Sequence, residues 1–302
     1  MVSKLQNISK RKLNEYKWAW FLIAPTMIGL MILNILPVFK TFYLSFCQSG
    51  AFGKGNIFVG LQNYIRLIHD SQVWYAVRNT LLYTLGVVPI SIIIALLLAV
   101  VLNGKIKGKG IYRTIYFIPM VAAPAAVTMV WKWLYNKDYG LINHFLTEIG
   151  LPSVNWIDNP HVAMISIIII GVWSTIGYNL VLLLAGLQSI PKDYYEAAEI
   201  DGASPIRRLF VITIPLLSPT LFFIMVTGVI TSIQVFDVIY MMIGISSPSY
   251  DSTVSLVYLF YNNSFKYFDK GYGSAIVILL LVIIIIITLI QNKLQKKWVN
   301  YM

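Results

Sequence analysis

Two strongly apolar stretches of the sequence carry polar side chains at the spacing of one helix face. In the stretch 216–243, Thr227, Thr231 and Gln234 occupy positions i, i+4 and i+7, and Asp237 follows three residues later. In the stretch 162–187, the polar side chains fall within one half of a helix that turns about 100° per residue. They are Ser174, Thr175, Tyr178 and Asn179.

These hydroxyl and amide groups both donate and accept hydrogen bonds, so the two faces are suited to line a path for a polyhydroxylated solute. Tyr178 adds a ring that can stack on a sugar face. The alternative is that the same groups join helices by hydrogen bonds, as small polar residues commonly do in bilayers. Asp237 favours a functional role because an unpaired charge inside an apolar stretch is costly. Its alternative position is near the outer boundary of the bilayer, partly hydrated.

Motifs for nucleotide binding, metal-dependent hydrolysis and nucleophilic catalysis are absent from the sequence. There is no G-x-x-x-x-G-K-[ST], no H-E-x-x-H and no G-x-S-x-G. The histidines His69, His144 and His161 are far apart, and the single cysteine, Cys47, excludes an internal disulfide and a cysteine-based metal site. We therefore expect no catalytic residue, no metal site, no cofactor and no ATP binding by this chain alone. Asp237 has no basic residue near it in sequence, which argues against an ion-coupled carrier.

The composition places the chain among integral membrane proteins of the all-α class. Of its 302 residues, 58% are hydrophobic and 12% are charged, whereas soluble domains carry about 25% charged residues. About 20 apolar residues are needed to span a bilayer, and six stretches are long enough. The predicted transmembrane helices are 18–39, 80–102, 114–135, 162–187, 216–243 and 272–290. Prolines at positions 89, 119 and 124 predict kinks in the second and third of them.

The positive charge is distributed unevenly between the predicted loops. With the N-terminus inside, 15 of the 23 Lys and Arg residues fall on the cytoplasmic side. Cytoplasmic loops carry such an excess, so both termini are predicted to be cytoplasmic. The same bias explains the net charge of +11 without a nucleic-acid partner. The predicted divisions are a basic cytoplasmic segment 1–17, a six-helix transmembrane domain 18–291 and a basic cytoplasmic tail 292–302.

The charged stretch 190–219 lies between two predicted spans and carries the signals of two short helices. Pro191 is suited to the first position of a helix, and Gly202 is suited to a left-handed cap at its end. Ser204 followed by Pro205 predicts the N-cap and first turn of a second helix. Two short helices around a glycine, at the membrane surface, predict a docking element.

The same stretch resembles a known sequence pattern. Residues 195–219, YEAAEIDGASPIRRLFVITIPLLSP, resemble the "EAA loop" in the inner-membrane permease subunits of ATP-binding-cassette importers. The matching residues are Glu196, Ala197, Ala198, Gly202 and Pro215. Ile214 stands where the pattern has leucine. Segments similar to the carbohydrate-uptake branch are 58–64, 78–84 and 184–191, and the resemblance covers roughly residues 18–295.

The resemblance implies a type I importer permease fold with six transmembrane helices in the cell membrane of a bacterium. It implies three partners: a second, homologous permease subunit, a dimer of a cytoplasmic ATPase and an extracytoplasmic solute-binding protein. The loop would rest in a cleft on the ATPase, with Glu196 facing a basic group and Gly202 turning the loop. The residues implied in coupling are Glu196, Ala197, Ala198, Asp201, Gly202 and Pro215. The alternative is an amphipathic helix at the membrane surface without a partner.

The resemblance also implies a sugar or oligosaccharide as substrate, because maltose-type relatives hold the sugar between the spans that match the fourth and fifth here. The residues implied by this alignment are Thr175, Tyr178, Asn179, Thr231, Ser232 and Gln234. A glycerol phosphodiester or a polyol is the alternative solute, although an anionic solute favours Arg or Lys deep within the spans, where the sequence has none. An ion-coupled secondary carrier and a membrane enzyme are the more distant alternatives. Segment 244–248 departs from the T-x-G-G-P turn of this branch and leaves the conformation of that outer loop open.

Overall fold

The computed structural model describes residues 10–50, 56–104 and 107–299, most of which are helical. Residues 1–9 of the predicted N-terminal segment and 300–302 of the predicted tail lie outside the described residues. The first elements are α1 (Lys10–Leu30), α2 (Leu36–Leu44), β1 (Cys47–Ser49), β2 (Asn56–Phe58), α3 (Gln62–His69), α4 (Ser71–Asn103), α5 (Lys109–Val121), α6 (Pro124–Leu134) and α7 (Leu141–Glu148). The later elements are α8 (Ala163–Ser189), α9 (Asp193–Ile200), α10 (Pro205–Arg208), α11 (Ile214–Leu216), α12 (Ser218–Ile233), α13 (Asp237–Met242), α14 (Tyr250–Thr253), α15 (Leu256–Tyr261) and α16 (Lys270–Trp298). Three π-helical turns, Met31–Ile35, Leu209–Thr213 and Asn262–Lys266, continue neighbouring helices.

Helices of membrane-spanning length account for most of the chain. Within the described residues, five helices are long and apolar enough to cross a membrane, or six if the bent pair α5 and α6 is one span. The five are Asn14–Leu44, Ser71–Asn103, Ala163–Ser189, Ser218–Met242 and Lys270–Trp298. The positions of five predicted spans are thereby confirmed, and the third coincides with the bent pair. Several of the helices are longer than the apolar stretches predicted from hydropathy.

The third predicted span differs from the continuous helix that its sequence indicates. The chain bends by 99° between α5 and α6. Proline disfavours helical backbone at the residue before it, and Ala123, which precedes Pro124, has φ −59° and ψ 131°. Pro124 then takes the first turn of α6, where its missing N–H is harmless. The kink is confirmed at Pro124, where it is a full break, whereas α4 and α5 continue through Pro89 and Pro119.

The fifth predicted span is also interrupted, between the end of α12 at Ile233 and the start of α13 at Asp237. The break contains neither proline nor glycine, so no local signal marks it. Ser255, which is fully buried, donates a hydrogen bond of 2.7 Å to the carbonyl of Val235. A residue from a later loop thus satisfies a carbonyl in the broken segment, as burial requires.

Helices α4 and α8 form the centre of the packed structure, with α5 and α12 against them. Two glycines of α8 allow the close approach. A Cβ on Gly177 would overlap the carbonyl oxygen of Tyr116 in α5, and a Cβ on Gly171 would overlap the hydroxyl of Tyr83 in α4. These contacts fix the positions of the helices that carry the polar faces.

The two ends of this helix assembly differ. At one end, called the α9 end here, Leu102, Leu187 and Ile190 belong to one buried apolar cluster. At the other, called the hairpin end, a second cluster includes Val73 and Ala163. There β1 and β2 form an antiparallel hairpin, and together with α3 they lie within the segment 40–78 that is predicted as a mixed loop. The end of α2 and the start of α4 account for much of the rest of that segment. α16 packs against β1 and α3.

The first span stands largely apart from the packed helices. Its α2 portion contacts α16 and β1, but almost all side chains of residues 18–39 are exposed within the chain. Leu22 and Leu33 are 72% and 74% exposed. This apolar surface suits contact with lipid or with another chain.

Candidate functional site

Helix α9 is the first of two short helices between α8 and α12. It begins at Asp193 with Lys192 as its N-cap, so the prediction that Pro191 takes the first helical position is wrong. The carbonyl of Lys192 already accepts a helical hydrogen bond of 3.0 Å from the N–H of Glu196. Pro191 lies just outside, where its missing N–H is equally harmless. Asp193 and Glu196 lie in the first turn, where negative charge complements the helix dipole.

The end of α9 is a Schellman motif. The N–H of Gly202 donates to the carbonyl of Glu199 at 3.1 Å, and the N–H of Ala203 donates to the carbonyl of Ala198 at 2.9 Å. Gly202 has φ 72°, which confirms the predicted left-handed cap. A Cβ on Gly202 would meet no atom within 4 Å. Glycine is therefore favoured here by its backbone conformation, since space is not limiting.

The second short helix begins as its sequence predicts. The hydroxyl oxygen of Ser204 accepts a hydrogen bond of 3.3 Å from the N–H of Arg207, and Pro205 is the first helical residue. This confirms the N-cap and the first-turn proline. The π-helical turn Leu209–Thr213 and α11 then lead directly into α12.

Side-chain contacts fix α9 onto the segment that follows it. The hydroxyl oxygens of Tyr195 and Thr213 are 3.0 Å apart in a hydrogen bond. Arg208 Nη1 lies 3.6 Å from Glu199 Oε2. Tyr195 also packs, half-buried, against the apolar cluster of the α9 end. α9 is therefore attached to the ends of α8 and α12.

The opposite face of α9 is exposed. It presents Glu196, Ala197 and Ile200, the last of them 87% exposed. Within the described part of the chain, the side chain of Glu196 has no hydrogen bond or ion pair. Ile200 was missed by the sequence reasoning, although an isoleucine amid polar loop residues is itself a signal of a contact surface.

The remaining predicted coupling residues lie off the exposed face of α9. Asp201 is exposed beside this face, whereas Ala198 is half-buried. Both border a groove of about 260 Å³ whose other lining residues are Ala203, Arg207, Arg208, Val211 and Ile212. Pro215 lies half-buried in α11, and its carbonyl accepts a hydrogen bond of 2.7 Å from Ser218.

Two adjoining cavities lie between α4, α5, α8 and α12, and the second also reaches α6 and α13. The first has a volume of about 300 Å³ and the second about 330 Å³. Their shared wall consists of Met120, Ser174, Thr175, Thr231 and Ser232. The first cavity adds Tyr178, Asn179 and Thr227, and the second adds Gln234 and Asp237. The structure thus brings all nine predicted path residues to the walls of these cavities.

Other wall residues were not found by sequence reasoning. Ser91 of α4 lines the first cavity, and a serine in an apolar run was a signal that could have found it. Pro119, Met120 and Phe236 line the second cavity because the helices around them are broken. Met120 and Phe236 have no sequence pattern that marks them as wall residues, and Pro119 is predicted only as a kink.

Part of the polar lining is used by the helices themselves. The hydroxyls of Thr175, Thr227 and Thr231 each donate to a carbonyl one turn earlier, at 2.9, 2.8 and 3.0 Å. Their oxygen lone pairs remain available as acceptors. The amide of Asn179 donates to Ser91 Oγ at 3.1 Å, and both residues are buried. Asn179 therefore joins α8 to α4, as the helix-contact alternative describes.

The rest of the lining keeps its hydrogen-bonding capacity. Among the described residues, Ser174, Tyr178, Ser232 and Gln234 find no side-chain hydrogen-bond partner. Tyr178 is half-buried and Gln234 is exposed at the helix break. These four groups can both donate to and accept from a solute in the cavity.

Asp237 is the first residue of α13, at the break in the fifth span. It is exposed and lines the second cavity, which fits the alternative of a hydrated position. Nearby, the segment 244–248 closes as a turn in which the N–H of Ser247 donates to the carbonyl of Gly244 at 3.0 Å. Ser247 Oγ also donates to Asp158 Oδ1 at 3.1 Å.

Known proteins resemble the chain over nearly its full length. Residues 73–300 match the family described as binding-protein-dependent transport system inner membrane component. The trehalose/maltose transport system permease protein of Thermococcus litoralis is 37% identical over 286 residues, covering 95% of this chain and 96% of that protein. The sn-glycerol-3-phosphate transport system permease protein of Yersinia enterocolitica is 33% identical over 283 residues, covering 93% and 95%.

A solved structure shows the same fold. A chain in the crystal structure of a bacterial alginate ABC transporter, in complex with alginate pentasaccharide-bound periplasmic protein, matches with a TM-score of 0.81 at 23% identity. The match covers 95% of this chain and 98% of that chain. Together with the helices of membrane-spanning length, these likenesses show a multi-pass membrane permease. The chain belongs to the family of binding-protein-dependent transport system inner membrane components, the permeases of ATP-binding-cassette importers.

Proposed function

We propose that the chain forms half of a heterodimeric pathway that imports a sugar or oligosaccharide, driven by ATP hydrolysis on partner chains. The partners are a second, homologous permease, a cytoplasmic ATPase dimer and an extracytoplasmic solute-binding protein. The observation that carries the proposal is a cavity lined by hydroxyl and amide groups on α8 and α12, the two helices to which α9 is attached. In this arrangement α9 and both termini face the cytoplasm. The segments 1–17 and 292–302 then flank the transmembrane domain 18–291 as basic cytoplasmic ends.

The coupling surface of this proposal is the exposed face of α9 with Glu196 at its centre. A short helix that ends in a Schellman motif and is attached by Tyr195 and Glu199 moves as a unit with α8 and α12. Closure of the ATPase dimer can then shift the permease between an outward-open and an inward-open state. A ligand shifts such an equilibrium only by its differential affinity for the two states, so the contact at α9 must differ between them.

The proposed solute is a sugar because Ser174 and Ser232 are free, uncharged donors and acceptors in the same cavity as the ring of Tyr178, and no Lys or Arg of the described residues lines either cavity. The Thermococcus litoralis relative is named for trehalose and maltose, and the Yersinia enterocolitica relative for sn-glycerol 3-phosphate. A polyol or a glycerol phosphodiester is thus the second candidate solute. Uptake of labelled trehalose, maltose, glycerol and sn-glycerol 3-phosphate, in cells lacking this subunit and complemented with it, separates these solutes.

The coupling proposal is tested by the substitution Glu196→Lys in the assembled importer. We expect loss of ATPase co-purification, because the lysine would face a basic group and juxtaposed like charges disfavour a complex. Asp138→Lys serves as the control, since Asp138 is an exposed acid in the turn between α6 and α7, remote from α9 in the chain. Normal capture of the ATPase by Glu196→Lys, with normal uptake, would contradict docking through this residue.

A further inference from the structure

Asp237 is the charged side chain in the walls of the two cavities. All the other wall residues are uncharged, and no Lys or Arg of the described residues lines either cavity. The remaining polar surface consists of hydroxyl and amide groups, which can form hydrogen bonds with a cationic or an anionic solute. The electrostatic character of this half of the pathway therefore depends on one carboxylate.

The carboxylate of Asp237 is not tied to a basic partner in the described part of the chain. Its carboxylate has no ion pair or hydrogen bond within the described residues. Two basic side chains contact α13, but both do so nearer its other end. Lys132 Nζ donates to the carbonyl of Met241 at 3.3 Å, and Lys266 Nζ lies 5.2 Å from the centre of the Tyr240 ring. Neither lines a cavity.

The position of Asp237 follows from the broken fifth span. The break at residues 234–236 separates α12, which carries Thr231 and Ser232 into both cavities, from α13, which Asp237 begins. Because Ser255 holds the carbonyl of Val235, the break is anchored to a later loop. The backbone that carries Asp237 is thus held at the second cavity, which shares a wall with the first.

We propose that Asp237 is a charge filter that disfavours anionic solutes and admits neutral polyhydroxylated ones. The inference rests on the proposed function, since it assumes that the solute passes these cavities. A phosphate-bearing solute would meet like charge in the second cavity and would find no Lys or Arg among the described residues of these walls. A neutral sugar meets only donors and acceptors. The solute class assigned to this half of the pathway is therefore an uncharged sugar, in contrast to a glycerol phosphodiester.

The effect of the Asp237 charge on the electrostatic potential in the cavity is measured by thiol labelling. This measurement does not require the solute to be known. Cys47 is the single cysteine of the sequence and is buried, so Cys47→Ser gives a cysteine-free chain. In this background, Gln234→Cys places a thiol in the second cavity, three positions from Asp237. The complete importer in nanodiscs is reacted with methanethiosulfonates that carry a trimethylammonium or a sulfonate group. Mass measurement on this chain gives the two rates in the presence and absence of ATP.

We expect the ratio of cationic to anionic labelling to exceed the ratio for a free thiol, and Asp237→Asn to lower it about tenfold. Asp138→Asn, which removes an exposed acid outside the cavities, is expected to leave the ratio within twofold. An unchanged ratio in Asp237→Asn overturns the inference. Labelling of Gln234→Cys by neither reagent also overturns it, because the cavity would then be closed to water-borne solutes.

Failure of the charge filter and failure of the proposed function give different results. If Asp237→Asn leaves the labelling ratio unchanged while Glu196→Lys abolishes ATPase capture, the coupling proposal stands and only the filter is wrong. If Glu196→Lys retains capture and uptake while the ratio falls in Asp237→Asn, the filter stands and coupling through Glu196 is wrong.

Discussion

Replacement of Gly202 by alanine isolates the energetic role of the cap on α9. Gly202 has φ 72°, and a Cβ there would meet no atom within 4 Å. The whole effect therefore arises from backbone conformation, which costs an alanine about 1–2 kcal/mol in the left-handed region. This corresponds to about a 5- to 30-fold shift in the local opening equilibrium. Asparagine tolerates this conformation better than alanine, so Gly202→Asn is expected to lie between glycine and alanine.

The assay is amide hydrogen exchange of the reconstituted importer. The reporting amides are those of Gly202 and Ala203, which donate the two hydrogen bonds of the Schellman motif. Their protection is expected to fall by the same 5- to 30-fold in Gly202→Ala, and ATPase affinity is expected to fall by no more than that factor.

Gly110→Ala is the matched control for this substitution. Gly110 lies within α5, has open space around its Cα and does not have a positive φ. Alanine there is expected to be neutral or stabilising by about 0.5–1 kcal/mol. Protection at Gly202 within twofold of wild type in Gly202→Ala, or a larger loss in Gly202→Asn than in Gly202→Ala, would refute the reasoning.

Two further predictions concern the helix contacts. Gly177→Ala is expected to lower the free energy of unfolding of the purified protein by about 1–3 kcal/mol, because the added Cβ overlaps Tyr116. Gly228→Ala should be tolerated, since the nearest atom to its added Cβ is 3.5 Å away. Equal thermal unfolding midpoints for the two variants would count against the close packing at Gly177. A double-mutant cycle of Asn179→Ala and Ser91→Ala is expected to give a coupling of about 0.6 kcal/mol, and strict additivity would show that the 3.1 Å contact contributes nothing.

The local structure of the coupling segment could be predicted from a few adjacent residues. The cap at Gly202 and the helix start at Ser204 and Pro205 were both found, because their hydrogen bonds join residues within five positions of each other. Pro191 was placed wrongly by two positions for a related reason. A proline is compatible with the first turn of a helix and with the residue before its N-cap, so the local rule does not decide between them.

The polar faces could be predicted in part. Helical periodicity showed which side chains share a face, and all nine predicted path residues do line the cavities. Periodicity could not show that the amide of Asn179 is bound by Ser91, 88 positions away. It also could not show the break after Ile233, because the partner of the Val235 carbonyl is Ser255 from a later loop.

The sequence by itself determined the class of the protein, the positions of its membrane-spanning stretches and the capped helix between the fourth and fifth. Each of these depends on composition or on hydrogen bonds between near neighbours, for which hydropathy and turn chemistry are sufficient. Only the tertiary structure decided the 99° bend between α5 and α6, the break before Asp237 and the meeting of four helices around the cavities. Those features depend on contacts between residues far apart in the chain, such as Gly177 with Tyr116, and no local pattern encodes which distant atoms will meet.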